Sequence, residues 1–243
     1  MNPRSELKKH YAKIGDSTND FRCQALFAWI CRHLEQSPVL DFGCGTGGFL
    51  RFLKNKKGWL GVGLDPDPEM VLRAKAFDPA LDFCVGGIGT AAALQGAFGT
   101  IVLIDVLEHI SDDEQTLVQL QDKLLPGGRL IVAVPAYPGL FGQRDLAIGH
   151  YRRYQKAELV KKIEKAGYAV RQIRYWNMLG VIPYAVSQKL LGKTEGCSWR
   201  NADSGGLLEK IMRQILHGWY VCVENNISAG WGLTLLCVAS KVS

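Results

Sequence analysis

The 243-residue sequence predicts an α/β fold, an open and mostly parallel sheet with helices on both faces. Two observations carry this prediction. Short apolar, β-branched runs alternate with helical patterns from Pro38 to Pro135. A glycine-rich loop, FGCGTGG, follows the first run and opens a helix, the layout of a nucleoside-binding turn.

The elements follow in order. An apolar-periodic helix covers roughly Asn19 to Leu34, with Phe21, Ala25, Leu26 and Trp29 on one side. PVLDF is the first strand, and Gly47 to Lys54 the helix after it. WLGVGLD is the second strand and Pro68 to Ala76 its helix. LDFCV and TIVLID are the third and fourth strands. Asp112 to Leu125 is amphipathic, LPGG turns, and RLIVAVP is a fifth strand rich in β-branched residues. Beyond Pro135, the segment AYPGLFGQRDLAIGHYRRY is too long and mixed for a simple connection, and such loops are often functional. Lys156 to Ala166 is helical, YAVRQIRYW is a strand, and Met178 to Leu191 and Ser204 to Val223 are further helices. GLTLLCVAS is the last strand. The expected organisation is a single domain over residues 1–243, with a ligand-binding core at 20–135 and an acceptor-side loop and helices at 136–228.

Composition narrows the function. No apolar run reaches the roughly 18 residues of a membrane span. The N-terminus, MNPRSELKKHYAKIGD, has neither an apolar core nor a small-residue cleavage site, so a cytoplasmic location is expected. Seven cysteines, an odd number without a C-x-x-C pair, argue for reduced thiols. The net charge of +6 is concentrated: residues 141–174 hold nine basic and three acidic side chains, while the remainder balances. That window is either a solvated helix face or a basic rim for an anionic substrate or acidic membrane surface. The apolar stripe of the Ser204–Val223 helix is expected to pack on its own domain, with an interfacial helix over a lipid-like substrate, in peripheral membrane contact, as the alternative.

The strand ends carry the chemistry, because ligands of such sheets bind beyond the carboxyl ends. Gly43, Gly45 and Gly48 satisfy G-x-G-x-x-G, the turn that cradles a dinucleotide diphosphate. Asp41, two residues earlier, would repel a diphosphate and suits a ligand presenting ammonium or amide donors. Asp65, closing the second strand, would accept hydrogen bonds from ribose hydroxyls in either case.

LDFGCGTGGF, GVGLDPD, IVLIDVLEHI and LLPGGRLIVAVP resemble, in order and spacing, the successive motifs of class I S-adenosylmethionine-dependent methyltransferases over residues 20–135. The resemblance implies a Rossmann-like seven-stranded sheet whose last strand is antiparallel, and S-adenosylmethionine as cofactor. Carried over, Asp41, Gly43 and Gly45 hold the methionine moiety and Asp65 the ribose. Gly87 and Ile88 lie along the adenine, and Asp105 and Val106 border the sulfonium. Cys44 and Pro66 join them as cofactor-binding residues, and Arg22 and Tyr11 close over the cofactor from the N-terminal side. The segment after the fifth strand is similar to that of a bacterial subgroup linked to cell-surface or small-molecule biosynthesis.

Methyl transfer from a sulfonium is an in-line displacement, so alignment matters most and a base is needed only when the nucleophile loses a proton. His150 is the first candidate base and His109 the second, with Glu108 and Asp145 nearby in sequence. Asp105-x-x-Glu108-His109 also resembles a divalent-metal pattern of ubiquinone-pathway O-methyltransferases; no metal is expected here. IDVLEH replaces the Asn/Asp-Pro-Pro-aromatic motif of nucleobase amino-methylating enzymes, so a nucleic-acid acceptor is not favoured. Arg144, Tyr151, Arg152 and Arg153 are the expected acceptor contacts. The favoured activity is methylation, at oxygen, of an anionic small-molecule, sugar or lipid-linked acceptor. A catalytically inactive S-adenosylmethionine-binding partner and a nucleic-acid methyltransferase remain as alternatives.

Overall fold

The computed structural model describes residues 16–189 and 206–242. Its strands are β1 (Val39–Phe42), β2 (Gly61–Asp65), β3 (Asp82–Val85), β4 (Phe98–Ile104), β5 (Leu124–Pro135), β6 (Tyr168–Trp176) and β7 (Thr234–Lys241). They form one seven-stranded sheet in the order β3-β2-β1-β4-β5-β7-β6. β1 to β5 pair in parallel, and β7 runs antiparallel between β5 and β6. Neighbouring strand residues go to opposite faces, and both faces are covered. Val102, Ile131, Ala133 and Val238 join one core cluster; Ile101, Leu103, Leu130, Val132 and Ala239 join the other. This double burial is why these strands read as continuous apolar runs rather than alternating ones.

The helices are α1 (Phe21–His33), α2 (Gly48–Lys57), α3 (Pro68–Phe77), α4 (Ile88–Ala93), α5 (Asp113–Gln121), α6 (Gln143–Ala147), α7 (Lys156–Lys165), α8 (Val181–Lys189) and α9 (Leu207–Trp219). Local chemistry sets several of their ends. The Asp20 carboxylate accepts the N–H groups of Arg22 and Cys23, and Asp112 that of Gln115, as N-caps do. Asp67 caps α3, whose first residue is Pro68.

Four differences from the sequence expectation have physical causes. α5 stops at Gln121, and Leu124 to Gly128 join β5 through a register shift between Phe98 and Thr100, because Gly127 takes φ +72° within the strand. α4 and α6, of six and five residues, are too short to show a period. α8 begins at Val181, and the expected extension to Leu191 lies outside the described residues. α9 passes into a π-helical turn, Tyr220–Glu224, and only the C-terminal part of its apolar stripe packs inward: Leu216 and Tyr220 meet the core, whereas Leu207, Leu208, Ile211, Met212 and Ile215 are exposed while Arg213 is buried. Among the described residues no helix is long and apolar enough to cross a membrane.

Candidate active site

β1 lies between β2 and β4, so the chain leaves its carboxyl end toward opposite sides of the sheet and opens a crevice there. The glycine-rich loop lines that crevice. The N–H groups of Gly43 and Cys44 both donate to the Leu64 carbonyl, at 2.7 and 2.9 Å, folding the loop over β2. Gly43 has φ +82° and lies so close to Val106 that a Cβ would overlap the valine. Gly45, at φ +52°, has open space where a Cβ would stand, as does Gly87. Backbone therefore faces the crevice at both positions.

Two carboxylates stand beside this space. Asp41 is 2% exposed and accepts no hydrogen bond from a described residue. Burial, with the like charge of Asp65 added, pushes its pKa up to about 8. A carboxyl so placed favours a ligand that brings a cation or an N–H donor. Asp65 accepts the N–H groups of Gly45 and Asp67 at 2.8 and 2.9 Å, and burial raises its pKa despite them. The N–H of Gly86 donates to the Asp65 carbonyl, which fixes the turn carrying Gly87 and Ile88 beside β2. Pro66 is exposed at the same rim. The Cys44 thiol turns away into the core beside Gly63 and Phe83, leaving only its backbone toward the crevice. Arg22 is half-buried with its Nε unpartnered; burial opposes its charge, but Cys23, Asp20 and Asp105 hold it protonated. Tyr11 lies outside the described residues.

The end of β4 supplies the second half of the site. Asp105 is exposed and takes φ +53°, a strained conformation for a residue other than glycine. Glu108, three residues on, is fully buried, and neither carboxylate oxygen has a hydrogen-bond partner. Burial, reinforced by the charge of Asp105, raises its pKa well above the usual carboxylate range. The loop after β5 is tied here by Tyr151 N–H, which donates to the Glu108 carbonyl at 2.7 Å. His150 thereby lies against both candidate groups: its ring meets that of His109 edge-on at 4.6 Å, and its Nε2 is 3.9 Å from Glu108.

His150 is held from behind. Its Nδ1 is 2.9 Å from Asp145, which is fully buried and also accepts Arg153 Nε at 2.9 Å, Gly142 N–H at 3.0 Å and Tyr184 Oη at 3.2 Å. Burial would raise the Asp145 pKa, but the His150 and Arg153 contacts outweigh it and bring it down to about 2. Asp145 meets the ring at Nδ1, which leaves Nε2 turned toward Glu108. Glu108, His109 and His150 also place one ligand-type atom each within 4.8 Å of one another, a grouping able to hold a divalent ion.

The expected acceptor cations are placed differently from one another. Arg153 is buried on Asp145, with Nη1 donating to the Ala136 carbonyl and Nη2 to Tyr184. Arg152 pairs with Asp113 and donates to the Ser111 carbonyl. Both are engaged within the fold. Arg144 is half-buried with its guanidinium over the Tyr184 ring, and Tyr151 is 60% exposed. The role of Tyr184 had no signal in the sequence, since it reaches Asp145 from 39 residues away. Asp145 was visible beside His150, but only the fold shows the contact.

Comparisons with known proteins agree with this geometry. A family model described as methyltransferase domain matches residues 18–173. A demethylspheroidene O-methyltransferase of Rhodobacter capsulatus is 32% identical over 145 residues, 55% of this chain and 37% of that enzyme. A tRNA U34 carboxymethyltransferase of Tolumonas auensis is 32% identical over 105 residues, 41% of this chain and 32% of that enzyme. Matches to three curated relatives span 58%, 46% and 37% of those proteins' lengths. Among solved structures, an S-adenosylmethionine-dependent methyltransferase from Archaeoglobus fulgidus superposes with a TM-score of 0.59 at 15% identity, covering 90% of this chain and 92% of that one, which shows the shared fold. With its glycine loop, paired strand-end carboxylates and seven-stranded sheet, the chain belongs to the methyltransferase-domain family.

Proposed function

We propose that this methyltransferase acts on a hydroxyl oxygen of a small-molecule or lipid-linked acceptor, with His150 as general base. The observation that carries the reading is the Asp145–His150 contact at the mouth of the crevice, beside Asp105 and Glu108. The residues present fit the cofactor: Asp41 would take the ammonium of its methionine part, Asp65 the ribose hydroxyls, and the open backbone at Gly45 and Gly87 admits a close approach. When bound, the cofactor supplies a methyl group on a positively charged sulfur.

The chain's own task is alignment and proton removal. The strained turn at Asp105 and Val106 borders the reacting end, and the loop after β5 covers it. His150 Nε2 would take the proton that the acceptor hydroxyl gives up on methylation. Asp145 holds the imidazole oriented and stabilises the imidazolium that results. In this reading the acceptor is anionic, since residues 141–174, the loop with α7 and β6, carry the chain's excess of basic residues. Arg144, over the Tyr184 ring, and the exposed Tyr151 are the loop groups assigned to it.

A screen of hydroxylated acids, sugars and total tRNA for release of S-adenosylhomocysteine tests the proposal. A hydroxylated acceptor is expected to turn over, and His150→Ala to slow it about 10²- to 10⁴-fold. Because the mechanism needs Nε2 unligated, turnover should survive EDTA. Loss on chelation with recovery on added Mg²⁺ would assign Glu108, His109 and His150 to an ion instead. Turnover of tRNA alone would redirect the reading to nucleic acid, and no release with any acceptor would favour a non-catalytic partner.

A further inference from the structure

β5 and β6 end level with one another, since Pro135 and Trp176 both pair with Thr234. Beyond these ends lies an open cleft of about 620 Å³, within the usual range for small-molecule sites. Two of its walls are Tyr137 and Tyr175, stacked with ring centroids 5.4 Å apart and planes 10° from parallel. Tyr137 takes φ +62° and ψ 90°, an unfavourable conformation for a bulky residue. It is held there by its N–H, which donates to the Tyr154 carbonyl at 3.1 Å, and by Gly232 N–H, which donates to its hydroxyl at 3.3 Å. Lys156, the first residue of α7, also lines the cleft; it is exposed and makes no ion pair with a described residue.

The cleft is linked to Asp145, the group behind the candidate base. Val181 lines it, and Tyr184, one turn further along α8, donates to Asp145. Arg153, on the other side of Asp145, donates to the carbonyl of Ala136, the residue before Tyr137. Two short connections thus join the cleft wall to the group that holds His150.

We propose that this cleft recognises the acceptor and takes a planar aromatic ring bearing a carboxylate or similar anion. The ring lies against the Tyr137–Tyr175 pair and the anion meets Lys156. This rests on the acceptor-side reading given above and sharpens it: the anion contact passes from the loop groups Arg144 and Tyr151 to Lys156, a lysine outside the loop. A flat aromatic surface favours an aromatic ring over a saturated one of equal size, and an unpaired ammonium favours an acid over its neutral amide.

The test titrates 2-naphthoate, 2-naphthamide and cyclohexanecarboxylate into the protein saturated with S-adenosylhomocysteine. 2-Naphthoate is expected to bind saturably and about tenfold more tightly than either of the others. Lys156→Gln should remove its advantage over the amide, and Tyr175→Leu its advantage over the saturated acid. Equal affinity for the three probes, or unchanged naphthoate binding in Lys156→Gln, would overturn the proposal. Lys156 is an exposed helix-start residue, so that variant keeps the test decisive even if Tyr175→Leu fails to fold. Calorimetry with S-adenosylmethionine separates the two levels. Cofactor binding without naphthoate binding sinks this inference alone, whereas loss of both sinks the methyl-transfer reading as well.

Discussion

Asp41 shows how one side chain couples stability, pH and ligand. Its pKa in the fold is about 8, against roughly 4 for an unfolded aspartate, so protonation favours the folded form. The stability this gives is complete below about pH 4 and is lost as pH rises toward 8. Asp41→Asn keeps the shape and removes the charge. We expect the variant without cofactor to be more stable than wild type at pH 7.5, on the order of 3 kcal/mol, with a flatter pH profile by thermal melting. The same variant should bind S-adenosylmethionine about ten- to a hundredfold more weakly by calorimetry, having lost a charged hydrogen-bond partner. Unchanged affinity would remove Asp41 from the cofactor site. At this scale the sequence was informative where backbone geometry dictates residue type. Asp41, Gly43, Gly45 and Asp65 stand out because a strand–turn–helix crevice needs them at fixed spacing. Arg152 and Arg153 looked like free cations because their partners, Asp113 and Asp145, meet them only through tertiary packing.

Among the elements, the π turn at Tyr220–Glu224 does more than end a helix. The Glu224 carboxylate is fully buried and accepts the N–H groups of Asn177 and Met178, both at 2.7 Å, and Trp219 Nε1 at 3.3 Å. Tyr220 donates to the Asn177 side chain at 2.6 Å, and Trp176 Nε1 to Asn225 at 2.9 Å. These bonds lock the carboxyl end of β6, and with it Tyr175, to the end of α9. Glu224→Ala would leave backbone donors buried and unpaired, an expected loss of about 3–5 kcal/mol in urea unfolding. Cofactor affinity of the remaining folded protein should stay near wild type, because the turn touches no residue of the glycine loop. The sequence located this helix but not its orientation. Periodicity finds an apolar stripe and assigns it inward, whereas here only its C-terminal part, Leu216 and Tyr220, packs on the core and its residues from Leu207 to Ile215 face out. The LPGG segment misled in the opposite sense, since its turn residues are accommodated as an irregularity inside β5.

Across the whole molecule, protection from solvent should follow position in the sheet. β1, β4 and β5 are central, and their apolar residues lie between two covering layers. Native-state hydrogen exchange is expected to be slowest in these strands and fastest at 143–151 and 207–219, the short loop helix and the exposed helix. Uniform protection across both groups would contradict this ordering. The placement of β7 also has a consequence for how the protein is made. β5 and β6 never pair with each other; each waits for a strand that leaves the ribosome after both. During synthesis β1 to β5 can therefore assemble first, giving the crevice that holds the cofactor while one edge of β5 stays open. Only when residues 234–241 slot in does β6 gain a neighbour and bring Tyr175 alongside Tyr137. The nascent chain thus acquires the half assigned to the cofactor before the half proposed for the acceptor, and for that interval the β5 edge is the surface most in need of a chaperone.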